Sequence, residues 1–140
     1  MKDLSFSPVS LCVSGDYAVA GGQWGELALH SMSLGTLHTL SLGSSINNAV
    51  CISPPGRDRV LVSSNDYCVR VLSLPDLLVR EVIHLPAPVN HASASADGAR
   101  MAACGDMDTV FLFDIRQGKA HSKVELRSTW DKDKVGIGQF

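Results

Sequence analysis

The sequence predicts an all-β fold of β-propeller blades, each blade a four-stranded antiparallel sheet, and three observations lead there. Residues 19–29, 61–71 and 102–112 align with one another without a gap. Taking Gly22, Ser64 and Gly105 as equivalent, the copies lie 42 and 41 residues apart, the period of a propeller blade. Every copy also repeats one grammar: short alternating apolar runs separated by Gly, Asn and Asp turns, with no amphipathic helix of useful length between them.

The strands follow in order. In the first copy, residues 9–14 alternate, Gly15-Asp16 turns, residues 17–20 follow, Gln23-Trp24-Gly25 turns, and residues 26–30 make the third strand. The second copy places strands at 46–53, 59–63 and 68–72, with turns at 54–58 and at Asn65-Asp66. In the third, residues 89–95 lead into Ala96-Asp97-Gly98, residues 100–104 follow, Asp106-Met107-Asp108 turns, and residues 109–114 close. Asp and Gly suit these turns because they accept the backbone angles that tight hairpins need. A fourth, outer strand is predicted at 35–42, 77–85 and 119–126, where the residues are more polar and fit exposed edges. Leu72 to Arg80 contains a Pro75-Asp76 turn and then an apolar patch, which suits the start of a strand better than a helix. The whole of 1–140 is thus one repeat region, with blades at about 4–43, 44–86 and 87–126 and the start of a further one at 127–140.

Composition narrows the function. A hydrophobic content of 45% supports a packed core and argues against disorder. The formal charge is −2 and the basic residues are scattered, so no stripe selects nucleic acid or an anionic membrane. No apolar run reaches the roughly 20 residues of a membrane-spanning helix, and the first residues lack a signal-peptide core. Four cysteines without a C-x-x-C pair read as reduced thiols in an intracellular protein, cytoplasmic or nuclear.

Ser95-Ala96-Asp97-Gly98 and the run Asp108-Thr109-Val110-Phe111-Leu112-Phe113-Asp114 resemble the turn and the strand ending of WD repeats, with Phe113 in the Trp place. The other copies depart further, with Leu72-Ser73 and His30-Ser31 where Trp-Asp would stand. A more specific resemblance, over about residues 9–118, is to a eukaryotic WD-repeat family of largely uncharacterised role. It is carried by Ala20 to Leu27, Ile46-Asn47-Asn48-Ala49-Val50, Ser64 to Arg70 and Pro88-Val89-Asn90-His91-Ala92. The resemblance implies a propeller of more blades than three and no catalytic activity. Ser128-Thr129-Trp130 resembles the opening of a further repeat. Propellers typically close with 4 to 8 blades, so the expectation is a partial or composite ring, completed by copies of the chain, by another chain or by further blades of a longer one. Two apolar blade faces would otherwise stand in water.

The candidate chemistry is sparse. Cys12 and Cys51 fall on the repeat position of Ser93, one blade apart, and no pair among the four cysteines has zinc spacing, so packing is expected and no metal. His91 lies where the second copy has Asn48, which cannot titrate, and a hydrogen-bonding role in holding the blade is expected for it ahead of acid–base work. His30, His38, His84 and His121 fall on strand ends or outer strands. Asp66, Asp106 and Asp108 recur at one turn and read as turn caps. Gly21-Gly22 lacks the residues of a phosphate loop, and no catalytic or cofactor-binding residue is assigned.

Trp24 and Tyr67 occupy neighbouring places in equivalent turns, with Met107 in the third. The resemblance implies that these turns line a face where partners dock, and aromatic residues are common interface anchors. The reading is a non-enzymatic protein-interaction scaffold, with Trp24, Asn48, Tyr67, Asn90, His91 and Met107 as its contact residues and a protein as its partner. The alternatives are a purely structural part of a larger propeller, and a small-ligand or enzymatic propeller using the central channel, for which the innermost strands supply mostly Ala, Val, Ser and Cys.

Overall fold

The computed structural model describes residues 3–53, 58–115 and 123–127, and these form twelve strands with no helix among them. Blade 1 contains β1 (Pro8–Ser14), β2 (Tyr17–Gly22), β3 (Glu26–Ser31) and β4 (Thr36–Ser41). Blade 2 contains β5 (Asn47–Ser53), β6 (Arg59–Ser64), β7 (Cys68–Ser73) and β8 (Val79–His84). Blade 3 contains β9 (Val89–Ala94), β10 (Arg100–Gly105), β11 (Thr109–Asp114) and β12 (Lys123–Arg127). Each sheet is antiparallel, with its strands side by side in chain order. The predicted strands therefore stand where the alternation placed them. The Pro54-Pro55-Gly56-Arg57 part of the second turn, the first residues of the outer strand predicted from 119, and the Ser128-Thr129-Trp130 motif lie outside the described residues.

The pairing fixes the register between copies. Gly22 pairs with Pro8, Ser64 with Asn47 and Gly105 with Val89, each beside a one-residue bulge in the inner strand. The bulged residues are Val9, Asn48 and Asn90. This corrects one alignment: the counterpart of Asn48 is Asn90, and His91 matches Ala49 and Ser10. A bulge is a change of one residue in a strand of period 2, so an alignment through Asn-x-Ala slips by one across it.

The core lies between sheets. Val19, Leu27 and Leu29 of blade 1 pack against Val50, Val60, Val62 and Leu72 of blade 2. Leu61, Val69 and Val71 of blade 2 pack against Ala92, Met101 and Phe111 of blade 3. Because side chains alternate along a strand, blade 2 buries both faces, while blades 1 and 3 bury one each. Hydrogen bonds cross the same seams. Ser10 Oγ donates to the Asn47 carbonyl at 2.9 Å, and Asn47 Nδ2 donates to the Glu26 carbonyl at 2.8 Å. Arg59 of blade 2 forks to the carbonyls of Ile115 and Gly98 in blade 3, at 2.9 and 2.7 Å.

Candidate functional site

The turns between the second and third strands of all three blades lie at one end of the molecule, beside the segments that lead into the inner strands. Backbone bonds tie the two together: Asn65 N donates to Ile46 O at 3.0 Å and Asp106 N to Pro88 O at 3.1 Å, while Leu42 N donates to Gly25 O and Leu85 N to Tyr67 O, both at 2.8 Å. At this end the chain exposes Trp24 (66%) and Tyr67 (48%), far more than a packing role would leave in water. Gln23, Trp24, Ser44, Ser45, Ile46 and Asn65 line a groove of about 320 Å³ between blades 1 and 2. Trp24 N donates to Glu26 Oε2 at 2.8 Å, which pins the turn carrying the indole.

Tyr67 sits at φ +71°, in the left-handed region, where its counterpart in blade 1 is Gly25 at φ +89°. A bulky residue is uncommon there because its Cβ crowds the backbone.

Asn48 and Asn90 play one part twice. Asn48 Nδ2 donates to Asn65 Oδ1 at 3.2 Å, and Asn90 Nδ2 donates to Asp106 Oδ1 at 2.7 Å, so each bulged Asn clamps the equivalent turn of its own blade. Asn48 also donates to the Val89 carbonyl of blade 3 at 2.8 Å. The hydrogen-bonding role expected of His91 therefore belongs to its neighbour Asn90, and His91 is exposed in β9 opposite Cys104. Met107 is half-buried and packs on the core between blades 2 and 3. The structure thus sets Trp24 and Tyr67 outward, uses Asn48 and Asn90 as supports, and turns Met107 inward.

The carboxylates bond differently from the expected backbone caps. Asp66 pairs with Arg70, Asp106 accepts from Asn90, and Asp108 accepts from Thr109 Oγ1 at 3.3 Å. Burial opposes ionisation of Asp66, but the Arg70 guanidinium and the Ser64 and Cys68 side chains outweigh it and hold its carboxyl below the usual range. Backbone capping falls to Asp16 and Asp97, which accept from the amides of Ser33 and Ala99 at 2.7 and 3.0 Å. Both carboxyls are held low by hydrogen bonds, first from Ser31 and Ser95 respectively.

One contact that the sequence did not signal is Cys68 Sγ against His84 Nδ1, at 3.3 Å across β7 and β8. Burial, with the Asp66 charge beside it, pushes the Cys68 thiol up, the reverse of what an activated nucleophile needs. The two inner-strand cysteines make blade-to-blade contacts. Cys12 Sγ accepts from Ile52 N at 3.4 Å, and Cys51 touches Ser93 and the Ala94 amide.

The chain has the fold of a β-propeller, three blades of it in the described residues. No family model matches it. It is 38% identical over 124 residues to an uncharacterized protein of Schizosaccharomyces pombe, an alignment that takes in 86% of this chain and 35% of that protein. The chain therefore spans about a third of the length of this curated relative. Among solved structures it is similar to the β-propeller domain of Cps50 (Swd1) from Myceliophteria thermophila, with a TM-score of 0.75, 18% identity and coverage of 89% of this chain and 38% of that one. It is also similar to the hydrazine synthase of Kuenenia stuttgartiensis, with a TM-score of 0.73, 13% identity and coverage of 87% and 36%. At these identities the two structures speak to fold alone. No described helix is long and apolar enough to cross a membrane.

Proposed function

We propose that this chain is a non-enzymatic protein-interaction platform whose contact surface is the turn face around Trp24 and Tyr67. The observation that carries the reading is Tyr67 itself. An exposed aromatic side chain stands at a left-handed position where the neighbouring blade has glycine, so local stability does not account for it. Trp24 lies on the same face and lines an open groove between blades 1 and 2, and Asn48 and Asn90 brace the turns from behind. Preorganised aromatic anchors of this kind hold partners at low entropic cost. The free thiols of Cys12, Cys51, Cys68 and Cys104 suit an intracellular setting, cytoplasmic or nuclear.

The test compares the chain with a W24A/Y67A variant as bait in cell lysate, with captured proteins quantified by mass spectrometry. Hot-spot anchors contribute about 2 kcal/mol or more each, so specific partners should fall by more than tenfold while the thermal midpoint stays in place. Equal capture by both baits refutes the assignment of this face.

A further inference from the structure

We propose, resting on the turn face as the contact surface, that the partner segment it holds is proline-rich and extended as a polyproline II helix, its rings against Trp24 and its carbonyls bonded by side chains of the groove between blades 1 and 2. That groove is lined by Gln23, Trp24, Ser44, Ser45, Ile46 and Asn65, with no charged side chain among them. Its hydrogen-bonding sense is set from behind. The Val89 carbonyl accepts from Asn48 Nδ2 at 2.8 Å, which fixes which end of that amide is the donor. Asn48 Nδ2 also donates to Asn65 Oδ1 at 3.2 Å, and this leaves Asn65 Nδ2 as a donor without a partner among the described residues. The indole N–H of Trp24 can only donate as well, and it belongs to an exposed side chain. Gln23, Ser44 and Ser45 add amide and hydroxyl donors, while the Ile46 carbonyl is already taken by Asn65 N at 3.0 Å and Ser64 Oγ at 3.1 Å. The groove therefore matches a partner that brings acceptors.

Charge narrows the partner further. No Lys, Arg or His lines the groove to attract an anion, and the Glu26 carboxylate bonded to Trp24 N repels one. A basic segment is served little better, since Asp66 is already neutralised by Arg70 and Glu26 is tied to the backbone of its own turn. The walls are turn residues and their side chains, so they offer no open strand edge for a partner to extend by strand addition.

A polyproline II segment is neutral, extended and rich in acceptors. It has no internal hydrogen bonds, so its carbonyls are free to accept, and proline brings no N–H that docking would leave unpaired. Its rings pack on aromatic side chains, and its preformed backbone lowers the entropic cost of binding. Trp24 supplies the aromatic surface from blade 1, and the turn that supplies Asn65 from blade 2 carries the exposed Tyr67.

Fluorescence polarisation of a labelled, capped decaproline titrated with the full chain should show saturable binding, about tenfold or more tighter than a Gly-Ser peptide of equal length. Asn65→Asp keeps the acceptor for Asn48 and replaces the outer donor with an acceptor, so it should weaken decaproline by about tenfold or more. Trp24→Ala should do the same, and because it acts on an exposed side chain it carries the test if Asn65→Asp lowers the thermal midpoint. Decaproline bound no better than the Gly-Ser peptide, or bound equally by wild type and Trp24→Ala, overturns the proline-rich partner. If the W24A/Y67A bait still loses its captured proteins in that event, the contact face stands and its ligand class falls; if capture is unchanged too, the face falls with it.

Discussion

Tyr67 separates stability from function at a single position. A non-glycine residue in the left-handed region costs about 1 kcal/mol, and Asn tolerates that conformation better than most because its short side chain bonds locally. With 48% of the side chain exposed, little packing is lost on truncation. Tyr67→Asn is therefore expected to raise the thermal midpoint by a few degrees, while capture of partners falls; calorimetry and the capture assay on the same preparation check both halves. At the adjacent Asp66, the counterpart in blade 2 of Trp24, charge takes over from shape. Asp66 is held ionised below the usual carboxylate range, so its contribution is present above its unfolded pKa near ~4 and is lost as pH falls through the lower folded value. Asp66→Asn should lower the midpoint at neutral pH, and the difference should shrink as pH falls below the unfolded pKa and through the lowered folded one. Thermal melts between pH 2 and 7 would show the two curves converging toward acid; parallel curves would mean that the Arg70 pair contributes nothing.

At the scale of strands and turns, most of the architecture was legible. Residues 9–14 alternate and 109–114 form a short apolar run between turn residues, enough to mark each as a strand, and Asp97-Gly98 marks a hairpin through backbone preference alone. The bulge was not legible: Asn47-Asn48-Ala49 and Asn90-His91-Ala92 look like one motif, and only the pairing of Val89 with Gly105 shows that they are offset by one. Nor could spacing show that Asn48 reaches Val89 in the next blade, since the sequence carries periodicity but not the distance between sheets. That contact has a measurable consequence. Asn48→Ala removes two hydrogen bonds and leaves the Val89 carbonyl without this donor, at a cost of about 1 to 3 kcal/mol, so the urea midpoint should drop with the slope unchanged. Gly105→Ala should cost about as much by a different route, because a Cβ there would lie 1.9 Å from the Pro88 carbonyl oxygen, and rigid backbone cannot step aside. A neutral Gly105→Ala variant would show that the start of β9 is free to move.

For the molecule as a whole, stability is shared between neighbours. Each of the two apolar clusters spans a seam between blades, so blade 2 is held from both sides and blades 1 and 3 each lean on it. In such arrays the free energy is close to a sum of units and nearest-neighbour interfaces, which makes the seams separately addressable. Arg59 is the handle on the second seam. It roots in β6 and its guanidinium holds the carbonyls of Gly98 and Ile115, the ends of two segments of blade 3 that are otherwise far apart in sequence. Arg59→Ala should cost about 1.5 to 3 kcal/mol, since both lost bonds are charge-assisted. Hydrogen exchange should then accelerate in β9 to β11 and leave β1 to β3 at the wild-type rate. Lysine should restore little, because one ammonium cannot reproduce the planar fork that reaches both carbonyls. Equal acceleration in blades 1 and 3 would mean that the three blades unfold as a single unit, with both seams giving way together.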